Sequence, residues 1–174
     1  MNSSILILVA EAVLYQENDS GFFIKAVGHV TASVSTDLRE LLVQRLNRDP
    51  LPVLLAADLS SCQYMDSTFM GLLVGFHKRY KSLTGKPLTI LRPTDECIKL
   101  LQGLGILRLL SHVSGEEPPS PEQWLSMANG RSPKTEILLR AHRNLSELSP
   151  ENEKQFSSLE EVLRRDLDKQ QSQD

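Results

Sequence analysis

Apolar and polar positions change rhythm along this chain, and each change predicts an element. Apolar runs at 5–13 and 22–27, parted by the turn-rich stretch QENDSG, predict two antiparallel strands, the second ended by Gly28. From Ser35 the rhythm becomes helical, with Leu38, Leu41, Leu42 and Leu46 on one face, Ser35, Thr36 and Asp37 available to cap, and the RDP stretch before Pro50 as the stop. The nearly continuous apolar run PVLLAADLS, ending in Asp58, predicts a central strand covered on both faces. A second helix follows over 67–83, then a strand over 88–91, a third helix from Thr94 to Gly103 or Gly105, and a closing strand within ILRLLSHV. The order β-β-α-β-α-β-α-β requires an α/β domain, with right-handed crossovers laying the helices against the sheet.

This domain is predicted to span 1–113. Residues 114–123, SGEEPPSPEQ, combine Gly, Ser, acid and proline and predict a linker. A helical extension follows over 124–174, where Leu138, Ala141, Leu145, Leu148, Phe156, Leu159, Val162 and Leu163 form one apolar stripe. Ser149 followed by Pro150 is a good helix start, so the tail is one kinked helix or two successive ones. Three roles stand open for it: packing on its own domain, forming a homodimer, or holding a partner. Asn152 would set the register of a coiled coil, and His142 reads as an interfacial polar residue rather than a metal ligand, because no second ligand lies one turn away.

Composition narrows the function classes. Apolar residues make up 40% and charged residues 24%, as in ordinary globular proteins, and a net charge of -3 gives no reason to expect nucleic acid. The two cysteines, Cys62 and Cys97, have neither zinc-site nor disulfide-framework spacing. The first apolar run lacks a preceding basic residue, and no stretch approaches the roughly 20 apolar residues that cross a bilayer. These features predict a cytoplasmic protein with no direct membrane insertion, no metal and no cofactor.

The stretch YMDSTFMG concentrates the candidate chemistry. Asp66, Ser67 and Thr68 are helix-capping residue types, and capping alone explains their presence at about 1 kcal/mol. The same helix start also favours an anion on its first turn, so phosphate on Ser67 would be tolerated by the fold while adding roughly 1.5 to 2 negative charges. Phe69, Leu72, Leu73, Phe76, Tyr80 and Leu83 share the core face of this helix; Met70, Val74, His77 and Lys81 lie about a quarter turn away. Gly71 and Gly75 cost about 1 kcal/mol each inside a helix, which predicts something packed tightly against them, from the same domain or from a partner. A serine nucleophile is disfavoured: the G-x-S-x-G elbow is missing, and the four histidines, at 29, 77, 112 and 142, are scattered with no triad order around Ser67. His77 is placed toward solvent or a partner.

The segment VLLAADLSSCQYMDSTFMGLLVGFHKRY resembles the centre of the STAS domain, the sulphate transporter and anti-sigma factor antagonist fold, in Asp58, the Asp66-Ser67-Thr68 triplet and Gly71. VGHVTASVSTDLRELL resembles that family's second strand and first helix. The resemblance implies a small mixed sheet with helices packed on one face. It further implies Ser67 as a phosphoacceptor with Thr68 secondary, Asp58 and Asp66 as supporting residues, and Phe69, Met70, Gly71, Val74 and His77 as the partner surface. The sequence departs at Phe69, where the family often has glycine, and the helical tail lies outside the resemblance.

The function so implied is non-enzymatic: an anti-sigma factor antagonist or similar partner-switching regulator. Its unmodified Ser67 form would bind a serine-kinase-type anti-sigma factor, and a protein phosphatase would restore that form. The alternatives are an accessory subunit of a membrane lipid-transporter ATPase and, more remotely, a small hydrolase.

Overall fold

The computed structural model describes residues 11–113, 123–127 and 131–173, with only the backbone described over 111–113. The predicted strand start at 5–10 and the linker residues 114–122 fall outside these residues.

Six strands form one sheet: β1 Ala12–Asn18, β2 Gly21–Val30, β3 Leu55–Met65, β4 Thr89–Leu91, β5 Ser111–Val113 and β6 Leu125–Ser126, in the order β5-β4-β3-β2-β1-β6. β1 pairs antiparallel with both β2 and β6, whereas β2, β3, β4 and β5 are mutually parallel, so the sheet is mixed. The parallel half follows from the helical crossovers α1 Ser35–Leu46, α2 Ser67–Thr84 and α3 Asp95–Gly103. The apolar run of β3 lies mid-sheet between β2 and β4, as its pattern predicts.

Alternate residues of the strands face opposite sides. Ile24, Leu55, Ala57, Leu59 and Ile90 join the main core with Leu38 and Leu42 of α1, Leu73 and Tyr80 of α2, and Leu101 of α3. Phe23, Ala56 and Leu91 form a smaller cluster with Leu54 and Trp124, the indole lying 5.9 Å below Lys25 Nζ. The fold is therefore the expected small mixed sheet with its helices on one face.

The tail is two helices, α4 Thr135–Ser146 and α5 Pro150–Gln171, with Ser149 capping the second by accepting from the Asn152 N–H. Ile137, Leu145 and Phe156 enter the main core, so the tail adds a layer outside α2. Buried Asn152 donates through Nδ2 to the carbonyls of Leu104 and Leu145, both at 3.0 Å, pinning the start of α5 to the domain and to α4. In the residues leading into α4, Arg131 binds Asp37 and, at 2.7 Å, Glu40 of α1. Its guanidinium holds the Glu40 carboxyl below the usual range.

Several local expectations are corrected. Gly28 does not end β2; its φ of 71° accommodates a register shift against β3, and the strand runs on to Val30. β3 likewise continues seven residues past Asp58 to Met65. No side chain caps α1, which is entered through a 3-10 turn at Ala32–Val34 whose own cap is Thr31. Leu83, placed on the core face by periodicity, is 45% exposed because α2 runs past the core at its end.

Candidate functional site

The site is built on the junction of β3 and α2. Asp66 is the N-cap: its Oδ1 accepts from the Phe69 N–H at 2.9 Å and its Oδ2 from the Ala32 N–H at 2.8 Å. One carboxylate thus fixes both the start of α2 and the chain as it leaves β2, and both its oxygens serve backbone donors. Ser67 is the first residue of the helix and is half-buried, so a rigid two-point staple sets the direction of its hydroxyl.

That hydroxyl meets a residue 75 positions away. Ser67 Oγ lies 2.9 Å from Nε2 of His142 on α4, and Nδ1 of the same ring lies 2.7 Å from the Leu138 carbonyl. A carbonyl only accepts, so Nδ1 carries hydrogen; in the neutral ring Nε2 is then a lone pair, and Ser67 is the donor. His142 is only 4% exposed and packs on Phe156 with ring centroids 5.5 Å apart.

The seam continues along α2 at helical spacing. A Cβ on Gly71 would stand 2.2 Å from the Ala141 carbonyl oxygen, and one on Gly75 would stand 2.6 Å from Asn144 Nδ2. Asn144 donates to the Gly71 carbonyl at 3.2 Å, and Lys78 reaches Glu147 at 2.6 Å. Ser67, Gly71, Gly75 and Lys78 therefore form one stripe lying against α4. Contact positions rise in number along both helices from Gly71 to Lys78, so the two run in the same sense. Side chains on α4 tilt toward its N-terminus, which is how His142 reaches back to Ser67. The glycine pair predicts a tight contact, and its occupant is the chain's own tail.

The other candidate residues fall elsewhere. Asp58 is fully buried, accepting from the Ser60 N–H at 2.9 Å and pairing with Arg92 at 3.3 Å. Thr68 is 4% exposed, which withdraws its hydroxyl from solvent. Phe69 is buried, as its place on the core face predicts, and the expected open surface over Met70, Val74 and His77 is corrected, because those side chains are buried too. His77 accepts from the Leu88 N–H at 3.2 Å through Nδ1, and desolvation, with Lys81 and Lys78 adding to it, pushes its pKa below the ordinary histidine range.

Sequence reasoning scattered the histidines and so missed the pairing of Ser67 with His142. The available signal was the helix-spaced Gly71 and Gly75, which require a close neighbour without naming it. A serine bonded to an oriented imidazole is also the start of a nucleophile arrangement. Here the imidazole is buried in a helix seam and packs on Phe156. Among the described residues, no group of three or more His, Cys, Asp or Glu is placed to hold a metal ion, and no helix is long and apolar enough to cross a membrane. Cys62 and Cys97 are buried and unpaired.

Comparison with known proteins agrees with this architecture. The family model described as the STAS domain matches residues 12–117. Among solved structures, the unphosphorylated form of the anti-sigma factor antagonist SpoIIAA is similar in fold, with a TM-score of 0.51 at 15% identity over 61% of this chain and 90% of that one. No curated protein matches the chain.

Proposed function

We propose that this chain, which belongs to the STAS domain family, is a protein-binding regulator of the anti-sigma factor antagonist type, switched by phosphorylation of Ser67. The observation that carries the reading is the placement of that hydroxyl. It is half-buried on the first residue of an 18-residue helix, beside a carboxylate already committed to two backbone donors. A negative group there is favoured by the helix dipole, and its added charge and hydration oppose docking of an apolar partner over the start of α2. Asp66 holds the acceptor in position, whereas Asp58 and Arg92 stabilise the strand that leads to it.

The unmodified form binds a serine-kinase-type anti-sigma factor, and a protein phosphatase regenerates it. The protein acts in the cytoplasm and performs no catalysis of its own. The likeness in fold to an anti-sigma factor antagonist supports this reading. We take 1–113 as the regulatory domain and 124–174 as its extension, which lends β6 to the sheet and Ile137, Leu145 and Phe156 to the core.

The test is phosphate mapping by mass spectrometry after incubation with serine kinases of the anti-sigma type and ATP, together with pull-downs using Ser67→Ala and Ser67→Asp. Phosphate on Ser67, partner capture by the alanine form and loss of capture by the aspartate form are expected. Equal capture by both variants rejects the switch.

A further inference from the structure

Resting on the reading of Ser67 as the switch, we propose that α4 is a built-in occupant of the α2 docking face. It withholds the Ser67 hydroxyl until an amphipathic partner helix or a phosphoryl group takes its place. Ser67, the predicted acceptor, and Gly71, the closest helix crossing, lie on the same stripe, and α4 covers both. A competing helix must bring a small residue to Gly71, because Ala141 already places its backbone where any Cβ would stand. It must also carry apolar residues one turn to either side, as α4 does with Ile137 and Leu145, and an acceptor for the Ser67 hydroxyl.

Phosphorylation removes what the latch depends on. Transfer of the γ-phosphoryl group of ATP by the kinase forms a P–O bond at Ser67 Oγ, breaks the P–O bond to the leaving ADP, and passes the hydroxyl proton through the kinase's base to solvent. The phosphoryl group then stands where Ser67 Oγ met His142 Nε2 at 2.9 Å, and the hydroxyl donor of that bond is gone. The ring is buried under Phe156, so the added bulk is relieved by moving α4 rather than by moving the ring alone. α4 is held by one hydroxyl bond, one amide bond, the exposed Lys78–Glu147 pair and the buried Ile137 and Leu145. At its two ends it is held by Arg131 on Asp37 and Glu40 and by Asn152 on Leu104 and Leu145, so a competitor has to replace the buried contacts as well as the polar ones. Because α4 is tethered, a free partner competes against an effective concentration on the order of millimolar, which sets a binding threshold.

The experiment needs neither kinase nor partner, so its failure is distinct from failure of the phosphate mapping. In the full chain carrying Ser67→Cys, the rate of labelling by the thiol reagent DTNB reports how often α4 lifts; Cys62 and Cys97 are buried. Labelling at least tenfold slower than in the urea-unfolded chain is expected, rising at least tenfold when Gly71→Ala is added. Alanine at 71 strengthens α2 as a helix while its Cβ strikes Ala141. Labelling as fast as in the unfolded chain, or an unchanged rate with Gly71→Ala, overturns the proposal. In a second arm, hydrogen exchange of residues 135–146 is compared between wild type and Ser67→Asp. Faster exchange there with β3 unchanged is expected, and equal or slower exchange overturns it.

Discussion

The two halves of α2 are both buried through hydrogen bonds to distant parts of the chain, yet they are held in different ways. In the C-terminal half, Tyr80 donates to the Pro52 carbonyl at 2.9 Å and His77 accepts from the Leu88 N–H, so both side chains are tied to the backbone of the segments entering β3 and β4. In the N-terminal half, Ser67 and Gly71 face a helix of the tail through a hydroxyl, a side-chain amide and a backbone crossing. Freeing the first pair requires opening the sheet domain; freeing the second requires displacing α4 with its buried Ile137 and Leu145. Burial is common to both; the covering element differs.

The largest expected effect tests the fixed half. Tyr80→Ala removes a fully buried ring and its bond to Pro52, and should cost about 3–5 kcal/mol of global stability in urea unfolding followed by circular dichroism. A loss confined to the tail, with β3 still protected from hydrogen exchange, would break the contrast between the halves. Asp66→Ala comes next. It orphans the N–H groups of Phe69 and Ala32 and should cost about 1–2 kcal/mol in the same measurement, while Asp66→Asn retains much of the cap.

The smallest effect is a pH dependence from His77. Its folded pKa lies below the unfolded value because desolvation, reinforced by Lys81 and Lys78, resists the charged form. The unfolded chain therefore binds the extra proton first. This contribution to stability is fully present above about pH 6.5 and is lost as the pH falls from there toward the folded pKa. Denaturation midpoints at pH 7.5 and 5.5 should show the decline in wild type and a shallower one in His77→Gln. Equal slopes would remove His77 from the fixed half.

The site was legible in part. A carboxylate-serine-threonine triplet before an apolar helix announces a cap from local chemistry, and the structure bears out Asp66 as the cap of α2. The exposure of His77 was misjudged because periodicity gives angles around α2 but not what covers each angle. His77, about a quarter turn from the core face, is buried by β4 and its approach, and Gly71 by α4. The two-residue β6 carries too little pattern to register at all, since its pairing with β1 supplies what its sequence lacks.

What this sequence determined by itself is what near neighbours set: the alternation of strands and helices over 12–113, the apolar stripe of α2, a helix start at Ser149 and Pro150, and the need for a close contact at Gly71. Only the tertiary structure decided which element makes that contact, and that His142 takes the Ser67 hydroxyl from 75 positions away. The reason is physical. Helical periodicity and capping act over a few residues, whereas the docking of α4 depends on burying Ile137, Leu145 and Phe156 in a core that exists only once the sheet has formed.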